Sequence, residues 1–125
     1  MNFKIDTRDT FTVITPETAE ITVNLTGELQ RRMEEMRQSG SQNFIIDLQH
    51  CTSLSADAIE QMIAMHEESY SGDASLVFTG VTGNVMAVLK ENESDLVLNI
   101  APKMIEAIDI ISMEILERDL FNEES

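Results

Sequence analysis

The sequence predicts an α/β fold: a single domain in which a mixed β-sheet packs with about four α-helices. Three observations carry that prediction. The runs "NFIIDL", "SLVFTG" and "LVLNI" are continuously apolar and rich in β-branched residues, as strands covered on both faces are. Stripes of helical spacing fall between these runs, so strands alternate with helices and parallel pairs take right-handed crossovers. A chain of 125 residues, 42% of them hydrophobic, supports one core and is too short for two.

Element by element, "FKID" and "FTVIT" alternate in polarity on either side of "TRDT" and predict a hairpin. Leu25, Leu29, Met33 and Met36 form the first helical stripe, with Glu28 and Arg32 paired on the wet side. Gly27 then lies inside that helix at a cost of ~1 kcal/mol relative to Ala. The second helix opens in "SLSADAIEQM", with Ser55 as N-cap, and turns Ile59, Met62, Ile63 and His66 to one side. A third follows Thr82, a candidate cap, with Val85, Met86 and Leu89 inward. The last begins at Pro102 and packs through Met104, Ile108, Ile111 and Ile115. It has further apolar positions at Ile110, Met113, Leu116 and Leu120, which suit either core packing or self-association through this helix. The domain is expected to span residues 1–121, leaving 122–125 as an acidic, disordered tail.

Charge limits the partners. Eight basic residues against 23 acidic ones give a net charge of −15, which repels nucleic acid and anionic membranes and favours a basic protein surface. No apolar run reaches the ~20 residues of a membrane span, and "MNFKIDTRD" does not read as a signal peptide. The single cysteine excludes a disulfide framework, and a cytoplasmic location is the expectation.

The candidate chemical groups are few. His50 and Cys51 are adjacent, and neighbours at strand spacing point to opposite faces, which argues against a Cys–His nucleophile. His66 reads as a packed helix residue, and the two histidines and one cysteine have no metal-ligand spacing. "TGVTGN" lacks the lysine and the spacing of a phosphate loop. Neither a metal nor a cofactor is expected. Asp57 stands in the first turn of the second helix, where a negative charge is favoured by ~0.3–1 kcal/mol whatever else it does.

"FIIDLQHCTSLSADAIEQM", "GDASLVFTGV" and "DLVLNIAPKMIEAIDI" together resemble the STAS domain of anti-sigma factor antagonists, from about Phe11 to Ile111. The acidic end "MEILERDLFNEES" is similar to one subgroup of that family. The resemblance implies a non-enzymatic interaction module that binds a kinase-type anti-sigma factor or a related regulator in transcription control. It also implies a switch: a serine in an Asp-Ser-Ser-Gly tetrapeptide at the start of the second helix, phosphorylated by the anti-sigma kinase. That tetrapeptide falls on Ser55-Ala56-Asp57-Ala58, so the acceptor position is Asp57, which has no hydroxyl. The expected partner-binding residues are Ser53, Ser55, Asp57, Ala58 and Glu60, with Met62 on the buried side and the phosphorylation switch lost. Ser53 and Ser55 read as caps or loop hydrogen-bonders rather than substitute acceptors.

The rival from another class is a receiver-like domain phosphorylated on Asp47, which ends a buried strand, with Lys103 after a later one. Against it, the chain start lacks the acidic pair that would hold Mg²⁺.

Overall fold

The computed structural model describes residues 2–124. β1 (Phe3–Thr7) and β2 (Thr12–Pro16) form the expected hairpin, paired antiparallel with Ile5 opposite Ile14. A short β3 (Glu20–Ile21) leads into α1 (Val23–Gln38), which contains Gly27 and opens with the Thr22 hydroxyl accepting from the Leu25 amide at 3.2 Å. Then come β4 (Phe44–Asp47), β5 (Ser53–Leu54), α2 (Ile59–Ser71) and β6 (Leu76–Thr79). The chain closes with α3 (Gly83–Glu91), β7 (Ile100–Ala101) and α4 (Met104–Glu124).

The main sheet has the order β1-β2-β4-β6-β7, parallel throughout except for the β1–β2 pair. Strand alternation divides the core between its two faces. Ile14, Phe44, Ile46, Leu76 and Phe78 meet the buried sides of α1, α2 and α3. Val13, Ile45 and Val77 point the other way, onto Ala107 and Ile111 of α4. This two-sided cover is why the central strands read as continuous apolar runs. The domain is therefore a single α/β unit with a mixed sheet and four helices.

Two expectations change. "LVLNI" is not a strand from its first residue: Ser94–Leu96 form a 3₁₀ turn, Leu96 is 86% exposed, and β7 begins only at Ile100. The left-handed backbone of Glu93 (φ 57°) turns the chain there, and the Ser94 hydroxyl donates to the Leu89 carbonyl at 2.9 Å, ending α3. α4 extends through Glu124, and Ser125 lies outside the described residues. Of the extra apolar positions of α4, Ile110 packs against the core, whereas Met113, Leu116 and Leu120 are all more than half exposed.

Candidate functional site

The α2 entrance is built on a second, two-stranded sheet. β3 and β5 pair in parallel, with Glu20 opposite Ser53 and Ile21 opposite Leu54. The Ala19 carbonyl accepts from the Thr52 amide at 2.7 Å, and the Ile21 carbonyl from the Ser55 amide at 2.9 Å. Ile21 and Leu54 are buried, so this small sheet is anchored from beneath while Glu20 and Ser53 face solvent. Two-residue strands carry no periodicity, and sequence reading missed both. The only hint of them was the polar–apolar alternation of Glu20 and Ile21 beside that of Ser53 and Leu54.

Beyond β5 the chain makes a 3₁₀ turn over Ala56–Ala58 before α2 proper. Asp57 is in this turn rather than in the α-helix itself. Ser55 occupies the N-cap position with extended backbone, but its hydroxyl caps no amide and donates instead to Asp57 Oδ1. The turn is closed by backbone, with the Ala58 amide donating to the Ser55 carbonyl at 3.0 Å. Asp57 and Glu60 are exposed, and Ser55 is partly so. Of the expected surface residues, Ser53 lies opposite Glu20 in the small sheet, Ser55 is bonded to Asp57, and Glu60 is exposed in the first turn of α2.

Ala58 does not belong to that surface. It is fully buried in the core with Ile59 and Met62, so any role it has in recognition is as a support. A larger side chain there would push into the core rather than toward a partner. The seat of α2 is also tied to α1, since the Thr26 hydroxyl donates to Gln61 Oε1.

Most of the other candidate groups are engaged in local packing and hydrogen bonds, although His66 Nδ1 is buried without a partner. Asp47, though buried, has both oxygens engaged: Oδ1 accepts from the Gln49 amide at 3.1 Å and Oδ2 from the Gln49 side-chain amide at 2.7 Å. Cys51 is buried and His50 exposed, so the neighbours do point apart. Burial, helped by the charge of Asp47, pushes the Cys51 thiol up to about 11, the reverse of an activated nucleophile. Thr82 does not cap α3 with its side chain; the hydroxyl donates to the Cys51 carbonyl at 3.0 Å and ties the loops after β4 and β6 together. The His66 ring lies 4.7 Å from that of Tyr70. Among the described residues no group of three or more His, Cys, Asp or Glu is placed to hold a metal ion. No helix among them is long and apolar enough to cross a membrane.

The sequence matches no family model and no curated protein. Solved structures do match. An anti-sigma-factor antagonist (STAS) domain protein from Planctomyces limnophilus superposes with a TM-score of 0.70 at 16% identity, covering 88% of this chain and 97% of its own. An anti-sigma factor antagonist from Mycobacterium paratuberculosis gives 0.71 at 12% identity, over 89% and 93%. RsbS of Moorella thermoacetica, in a form carrying a serine-to-glutamate substitution, gives 0.68 at 18% identity, over 94% and 99%. At these identities the likeness is one of architecture. With the hairpin edge, the parallel sheet, the α2 entrance and the closing helix all in place, the chain has the fold of the STAS domains of anti-sigma factor antagonists.

Proposed function

We propose that this chain is a non-enzymatic protein-interaction module that docks the α2 entrance onto a kinase-type anti-sigma factor or a related regulator of transcription, with the serine switch lost at Asp57. The observation that carries the reading is the exposed Asp57 carboxylate, held by the Ser55 hydroxyl, at the head of α2 in a STAS fold. A carboxylate bears a single charge where phosphoserine bears about −1.5 to −2, so Asp57 imitates the modified state only in part. It supplies a permanent negative charge that no kinase or phosphatase adjusts. Ser53, Ser55, Asp57 and Glu60 form the contact surface, with Glu20 at its edge and Ala58 and Met62 supporting it from below.

The test is incubation with a serine-kinase anti-sigma factor and ATP, followed by intact-mass measurement. The mass stays unchanged while the two proteins associate. Phosphate on Ser53 or Ser55 would overturn loss of the switch, and failure to associate with any regulator of this class would overturn the choice of partner.

The receiver-like alternative is the weaker reading. Asp47 is buried at the end of β4, and among the described residues no group of three or more His, Cys, Asp or Glu gathers there to hold the Mg²⁺ that a receiver needs. Mg²⁺-dependent labelling of Asp47 by acetyl phosphate would reverse the preference.

A further inference from the structure

The second half of α4 presents a face that the domain does not use. Met113, Leu116 and Leu120 follow one another at intervals of three and four, so they lie along one side of the helix. Ile105 lies on the same side about two turns before Met113, beyond Asp109, and all four apolar side chains are more than half exposed. The buried side of the helix is a different one, with Ala107 and Ile111 against the sheet. A monomer gains nothing from an exposed apolar stripe of this kind.

The charges around the stripe indicate what would cover it. Asp109, Glu117 and Glu123 lie along or beside it and are exposed. The ion pairs among the described residues join other partners. The helix has one cation, Arg118, and it is turned inward, donating to Asn43 Oδ1 at 3.2 Å and Ser75 Oγ at 3.0 Å. The exposed face is therefore apolar with an acidic border and no positive charge of its own. The cleft of about 750 Å³ at this end of the molecule belongs to the other side of the helix, with Glu114, Arg118 and Phe121 in its wall, and is not part of the stripe.

We infer that this face is a second docking surface, independent of the α2 entrance, for an amphipathic helix of a partner protein with a leucine-type apolar side and lysine or arginine borders. A second copy of this chain is the poorer occupant. Two-fold pairing of α4 would bring acidic borders together on a chain whose net charge is already −15.

The experiment uses the full chain and a fluorescein-labelled helical peptide made only of leucine and lysine, followed by anisotropy at near-physiological salt. Binding should be saturable. It should weaken at least about tenfold when Leu116→Asn and Leu120→Asn are combined, the equivalent of about 1.4 kcal/mol. Leu96→Asn, at an exposed apolar site away from α4, should leave it unchanged. Circular dichroism confirms that the variants fold. Equal binding of a scrambled, non-amphipathic peptide of the same composition would overturn the proposal, because charge alone would then suffice. So would absence of binding, or equal binding by the variant. A parent chain that sediments as a dimer and becomes monomeric in the Leu116→Asn, Leu120→Asn variant would replace the partner helix with a second copy. None of these outcomes bears on the α2 entrance, whose test is separate.

Discussion

Gly80 stands directly against the carboxylate of Asp47: a Cβ built on Gly80 would lie 2.5 Å from Asp47 Oδ1 and 3.1 Å from the Gln49 amide nitrogen. Its backbone also has φ of 68°, a conformation that L side chains rarely adopt. The loop after β6 is thus threaded past the turn that Asp47 and Gln49 make after β4.

Gly80→Ala should therefore destabilise the domain by ~1–3 kcal/mol, combining the left-handed backbone with the close approach. Urea unfolding measures it. A parent-like midpoint would mean that the two loops are free to move apart.

Ile111→Ala removes a fully buried side chain from the face of α4 that meets Val13, Ile45 and Val77. The expected loss is ~2–5 kcal/mol, a large share of the stability of a small domain. Leu116→Ala on the exposed side should stay within ~0.5 kcal/mol, and thermal melts of the two variants separate the buried face from the free one.

Tyr70 joins α2 to α4 through a polar network. Its hydroxyl donates to Glu114 Oε1 at 2.8 Å and accepts from Asn99 Nδ2 at 2.9 Å, and Glu114 also accepts from Ser75 Oγ at 2.6 Å. Burial, with the Glu114 carboxylate nearby, raises the Tyr70 pKa. Tyr70→Phe leaves Glu114 with one donor fewer and should cost ~1–2 kcal/mol by urea unfolding. No change would show that water replaces the phenol without loss.

The Cys51 thiol gives a pH prediction. Its pKa rises from an ordinary 9.0 to about 11 on folding, so the folded chain holds this proton where the unfolded chain releases it. The contribution to stability is complete below about 9 and is lost as pH climbs through about 11. Cys51→Ala should flatten that part of the stability–pH curve, and iodoacetamide should label the parent far faster in urea than in buffer.

At the α2 entrance, Asp57→Asn keeps the shape and removes the charge. A helix-dipole role alone predicts a stability loss of a few tenths to ~1 kcal/mol and nearly unchanged partner affinity. The docking role predicts an affinity change well beyond that loss, measured by calorimetry against the regulator.

What the sequence determined by itself was everything with a period and a burial requirement. Leu25, Leu29 and Met33 had to share one side of a helix, and the apolar runs around Ile45 and Val77 had to be covered twice. Those patterns sufficed for the alternating order, the hairpin and the position of α2, hence for the resemblance in fold. Tertiary structure decided what short-range pattern does not encode. Glu20–Ile21 and Ser53–Leu54 become strands only by meeting each other, more than thirty residues apart in the chain. Ala58 is small enough to read as surface or core, and packing against Ile59 and Met62 made it core. Leu96, Leu116 and Leu120 are hydrophobic residues for which the closed sheet and its helices leave no interior place. Hydrophobicity states a preference for burial, but the number of faces the fold can cover decides which residues obtain it.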